Sequence, residues 1–149
     1  MVDEVGIQNS IAWNAPRATR EVTRIYNDAL TPVELNINQF GLLAYLYGTK
    51  LDGRPSQRLR ALAEFTALHP STVRRELKSL TERGWITSVA NVGDQRRALL
   101  SITSRGCAQL RRAVPFWRRA QTRIRDALGA ENAVELNDLL DRTSTKLKK

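Results

Sequence analysis

The sequence predicts a mainly α-helical chain with one small β-hairpin, and three observations carry that expectation. Three segments space their apolar residues by threes and fours. Two short runs of β-branched and aliphatic residues flank a polar stretch, as in a hairpin. No repeat, low-complexity stretch or Pro/Gly-rich linker divides the 149 residues, so residues 1–149 are expected to form a single domain.

The first stripe, Ile11, Ala15, Ala18, Val22, Ile25 and Ala29, predicts a helix within about residues 7–30, delayed or kinked by Pro16. Asn36-Ile37-Asn38-Gln39 reads as an N-cap with a reciprocal Gln three residues on, opening a helix through Tyr47. Gly48 and Gly53 then mark a loop. Gln57 to Phe65 reads as a short helix, Thr66 to His69 as a tight turn, and Pro70 to Arg83 as the next helix. His69 occupies its N-cap, where Ser, Thr, Asp or Asn is preferred, and Gly84 closes it. Ile86–Ala90 and Ala98–Ile102 are the expected strands, joined by the basic tip 91–97. Thr103 caps a long helix with the stripe Cys107, Leu110, Val114, Trp117, Gln121, Ile124 and Leu128, kinked at Pro115 and ended by Gly129. The last stripe is Ala133, Leu136, Leu140, Thr143 and Leu147. The spacing of all three stripes is that of helices packing side by side.

One cysteine excludes an internal disulfide, and one cysteine with one histidine excludes a two-Cys two-His zinc site. No metal or cofactor is expected. The longest apolar run, residues 42–47, is far short of the ~20 residues of a membrane span. Met1-Val2-Asp3-Glu4 lacks the basic start of a signal peptide, so a cytoplasmic protein is expected.

Charge is distributed unevenly. The chain's net +9 hides a net +12 in residues 54–125, which hold 16 basic and 4 acidic side chains, whereas residues 1–53 hold 4 and 6. All but one of those 16 are Arg, suited to bidentate contact with phosphate and guanine, so a polyanion is the implied partner. A solubilising surface would instead mix signs along the whole chain.

Two short helices joined by a tight turn and followed by a basic hairpin make a winged helix-turn-helix. In the second helix Val73, Leu77 and Leu80 share one face, and Ser71, Thr72, Arg74, Arg75 and Lys78 lie on the other. That is the arrangement needed to read a major groove. Arg96 and Arg97 at the hairpin tip would reach a neighbouring minor groove or backbone, with Asp94 holding the Arg96 guanidinium.

Leu80-Thr81-Glu82-Arg83-Gly84-Trp85-Ile86, then Asp94-x-Arg96-x-x-x-Leu100-x-Ile102-Thr103, resembles the MarR (multiple antibiotic resistance regulator) family, and the order of elements agrees from about Ile7 to Leu147. His69 departs from the Ser or Asp common there. The resemblance implies dimerisation helices at about 7–30 and 104–147 and a DNA-binding lobe at about 36–103. It further implies a homodimer on an imperfectly palindromic double-stranded DNA operator. Function would then be that of a sequence-specific transcriptional regulator, a repressor of neighbouring genes released by a small aromatic or phenolic effector. Effector candidates are Trp13, Arg17, Arg20, Tyr45, Tyr47, Phe116 and Trp117, against the alternative that these aromatics are core.

Three other readings compete. Cys107 near a helix N-terminus suits a redox switch, but its stripe position suits a buried structural thiol better. A non-sensing architectural DNA-binding protein would share the charge and wing but lack sequence preference. An enzyme is not expected: the chain has no Gly-rich phosphate loop, Gly-x-Ser-x-Gly or metal-ligand cluster.

Overall fold

The computed structural model describes residues 6–91 and 94–148, and of residues 91 and 94–96 the backbone alone. Its elements are α1 (Ile11–Leu30), α2 (Ile37–Leu51), β1 (Gln57–Arg58), α3 (Leu59–Thr66), α4 (Pro70–Glu82), β2 (Ile86–Asn91), β3 (Asp94–Ile102), α5 (Ser104–Leu128) and α6 (Ala130–Leu147). Mainly α with a three-stranded antiparallel sheet, this is the winged helix-turn-helix architecture the sequence predicts. No helix among the described residues is long and apolar enough to cross a membrane.

Several expectations need correction, among them the hairpin tip: residues 94–97, expected there, belong to β3. Residues 57–58 are not helical: they form β1, pairing Gln57 with Leu100 and Arg58 with Leu99, and the helix starts at Leu59. Third, α2 runs past Gly48 to Leu51, because Gly48 sits in open space and its missing side chain costs propensity without breaking the helix. Finally, of the two effects expected of Pro16, the delay does not occur: α1 begins at Ile11 and contains it.

The chain divides into two compact units, residues 30–115 and residues 1–29 with 116–149. The first holds a continuous core in which Leu42, Leu43, Leu46, Leu62, Val73 and Leu80 are fully buried. Each such side chain contributes roughly 1.5–3 kcal/mol relative to exposure. Local chemistry sets the helix ends. Asn36 and Gln39 form the expected reciprocal cap, Asn36 Oδ1 accepting from Gln39 N at 2.8 Å and Gln39 Oε1 from Asn36 N at 3.2 Å. At the C-terminus of α4, Gly84 takes φ 73°, which lets Trp85 N reach Leu80 O (3.0 Å) and Gly84 N reach Thr81 O (2.9 Å). The sheet order is β1-β3-β2, with Ile86 opposite Ile102 and Ser88 opposite Leu100. Ile86, Leu100 and Ile102 are buried, while the Val89–Leu99 pair lies on the exposed face. An irregularity in register separates Val89 from Asn91.

The sheet is joined to α5 at one crowded point. Thr103 N donates to Trp85 O (3.0 Å), and Thr103 Oγ1 donates to Gly84 O (2.7 Å) while accepting from Gly106 N (3.0 Å). Thr103 is thus the N-cap of α5, as its sequence context implies.

In the second unit Tyr26 donates to Gln121 Oε1 and stacks on Trp117, ring centroids 6.4 Å apart. Burial pushes the Tyr26 phenol above the ordinary tyrosine value. Ala120 is buried, but the stripe residues Ile11, Leu136, Leu140 and Leu147 of this unit are all exposed, as is Val134 beside them in sequence.

Candidate nucleic-acid interface

The residues singled out on α4 fall on one surface. Val73, Leu77 and Leu80 face the core, whereas Ser71, Arg74, Arg75 and Lys78 are exposed and Thr72 is half-buried. The helix begins at Pro70, where a missing N–H is harmless, and His69 fills the N-cap by accepting from Ser71 N at 3.2 Å. His69 Nδ1 also lies 2.6 Å from Ser71 Oγ. Imidazole therefore does the work of the more usual hydroxyl or carboxylate at this position.

The cations stay available. Lys78 only approaches Glu82, at 4.0 Å with both side chains exposed, a contact worth little in water. Arg75 touches Glu76 Oε1 at 3.5 Å and keeps 73% of its side chain exposed. Beside this face a cleft of about 1060 Å³ opens between α4 and the sheet, with Arg60, Arg74 and Lys78 among its lining residues. Arg97 on β3 is exposed. Asp94 and Arg96 lie in β3, and their side chains fall outside the described part.

This arrangement presents a helix with a polar, cationic face and a basic strand pair from one rigid core, the geometry for entering a major groove while touching the backbone. Residues 35–98, which hold the helix-turn-helix and most of the sheet, match the model of the MarR family. Over that stretch the chain is similar to the MarR family. The match supports a DNA-binding transcriptional regulator.

Solved structures share the fold over nearly the whole chain. CouR, a transcriptional repressor solved on a 23-mer DNA duplex, is 24% identical with a TM-score of 0.77, covering 93% of this chain and 94% of that one. A mutant of Escherichia coli MarR complexed with operator DNA is 18% identical, TM-score 0.76, covering 96% and 97%. BpsR of Bordetella bronchiseptica, whose DNA binding is regulated by 6-hydroxynicotinic acid, is 22% identical, TM-score 0.75, covering 91% and 93%. No curated protein sequence matches the chain.

The effector candidates are divided between the two units. Trp13 and Arg17 line a shallow hollow with Ile7, Gln8 and Asn9, and Arg20 lies exposed on the same helix. Trp117 stacks on Tyr26, Phe116 lies under the Arg119 guanidinium at 5.0 Å, and Tyr45 packs on Phe65 at 4.5 Å. Tyr47 is half-buried on α2. Cys107 is 6% exposed on α5, the environment of an inert structural thiol. Sequence reasoning missed Glu76: a glutamate between Arg75 and Leu77 reads as a solvated charge, yet it is buried. Its place in the inward series Val73, Leu77, Leu80 was the available signal.

Proposed function

We propose that the chain is a homodimeric repressor that reads an imperfectly palindromic operator through Ser71, Thr72, Arg74, Arg75 and Lys78. Asp94, Arg96 and Arg97 of the hairpin reinforce that contact, and a small aromatic or phenolic acid releases it. The observation that carries this reading is the sorting of α4 into a buried apolar face and an exposed cationic one. A homodimer is supported by α6, whose Val134, Leu136, Leu139, Leu140 and Leu147 are 39–77% exposed in the single chain. An apolar row of that length in water is what a partner helix would cover. The effector class is supported by the Trp13–Arg17 hollow, which pairs an aromatic wall with a cation, and by BpsR, a protein of the same fold regulated by a small aromatic acid.

The test is competition between a duplex selected by the chain from a randomised library and a random duplex of equal length. Arg75→Ala should weaken binding to the selected duplex by ~1–3 kcal/mol and to the random duplex much less. Equal losses on both would reduce Arg75 to a phosphate contact. A wild-type specificity ratio near one would favour an architectural protein without sequence preference.

A further inference from the structure

Glu76 is a carboxylate at a core position. It lies between the buried Val73 and Leu80 on the inward side of α4, and its side chain is 9% exposed. Burying a carboxylate is costly unless its oxygens are matched, and an apolar side chain would fill the position without that cost.

Its oxygens are matched in an ordered way. Oε2 accepts from Gln39 Nε2 at 3.0 Å and from Asn36 Nδ2 at 3.2 Å. Those two amides have no freedom to flip, because their carbonyl oxygens are committed to the cap of α2, Asn36 Oδ1 to Gln39 N and Gln39 Oε1 to Asn36 N. The helix cap thus aims two N–H donors at one carboxylate oxygen. Gln39 Nε2 is also 3.4 Å from Ser79 Oγ, which ties the same amide a second time to α4. The other carboxylate oxygen, Oε1, faces the Arg75 guanidinium at 3.5 Å. Neighbouring helix residues do not ordinarily face each other, so Arg75 must bend sideways to make this contact.

We propose that Glu76 is a positioning residue that sets sequence discrimination through Arg75. This rests on the reading above in which Arg75 contacts operator bases. The fixed carboxylate holds one edge of the guanidinium and leaves its other donors pointing outward, so less rotamer freedom is lost when those donors meet base edges. The same negative charge, close under the contact face, opposes non-specific attraction to phosphate. Glu76 therefore raises binding to the right sequence and lowers binding to the wrong one. A merely structural role would move both in the same direction.

The experiment measures affinity for the library-selected duplex and for a random duplex, with urea unfolding as the control for folding. In Glu76→Gln the ratio should fall about fivefold or more, with random-duplex affinity unchanged or higher. In an Arg75→Ala background the same substitution should leave the ratio unmoved. Asn36→Ser keeps a good N-cap but removes one donor to Glu76, so its ratio should fall in the same direction by less, and it decides the matter if Glu76→Gln does not fold. An unchanged ratio in the folded variants, or an equal fall without Arg75, overturns the proposal. If Arg75→Ala itself leaves the ratio intact, the base-contact reading fails and this proposal falls with it. If Arg75→Ala lowers the ratio and Glu76→Gln does not, only the positioning role is lost.

Discussion

Gly106→Ala should destabilise the 30–115 unit by several kcal/mol, although it adds one methyl group to a helix. A Cβ at position 106 would sit 2.0 Å from Trp85 O and 2.8 Å from Ile102 Cγ1, where ordinary contact needs more than 3 Å. The obstacle is backbone, so no rotamer change relieves it. Either α5 or the 84–85 segment must move by an ångström or more, and the bonds Thr103 N–Trp85 O and Thr103 Oγ1–Gly84 O both lie across that gap. Losing them costs about 1 kcal/mol each, and the overpacking a further ~1–3 kcal/mol, together ~3–5 kcal/mol. That is a large share of the ~5–15 kcal/mol stability of an ordinary domain. Gly41→Ala is the control: it is helical, meets nothing within 4 Å, and should stabilise by ~0.5–1 kcal/mol. Urea unfolding followed by circular dichroism reads both. A Gly106→Ala loss below about 1 kcal/mol, with an unchanged m-value, would refute the close-approach argument.

Three further outcomes are expected. Arg96→Ala should weaken binding across all sequences and flatten the dependence of log affinity on log salt; an unchanged slope in a salt titration would remove Arg96 from the interface. Asp94→Ala should also weaken binding despite deleting a negative charge if Asp94 orients Arg96, and tighter binding in the same titration would refute that role. Leu140→Asn should shift a dimer towards monomer by ~2–5 kcal/mol, because Leu140 is 54% exposed in the chain and both copies lose apolar contact. Sedimentation measures this, as it does for deletion from Asn132 onward. A dimer that survives both changes would show that α6 is not its interface.

Much of the fold is legible in the sequence because it is written in local chemistry. Asn36 and Gln39 announce the start of α2, Gly84 the end of α4, and Thr103 and Gly129 the bounds of α5. The apolar face of α4 follows from the spacing of Val73, Leu77 and Leu80 alone. Features set by distant partners were not legible. Gln57 and Arg58 have no strand signal of their own and become β1 only by pairing with Leu99 and Leu100. Glu76 resembles any helical glutamate until the amides of Asn36 and Gln39 close on it. The stripes of α1 and α6 were legible as apolar faces, but no spacing rule names what covers them.

The pairing of β1 with β3 also bears on how quickly the lobe assembles. β2 and β3 are neighbours in sequence and can zip early, whereas β1 must close a long loop, from Gln57 to Leu100, for only two residue pairs. Loop-closure entropy is spent before so short a strand returns much contact energy, so β1 should dock after the rate-limiting barrier. Substitutions that weaken the Gln57 and Arg58 pairing would then quicken unfolding and leave the folding rate nearly untouched. The third strand of this wing acts as a latch on a completed lobe, governing how long the folded state lasts rather than how fast it is reached.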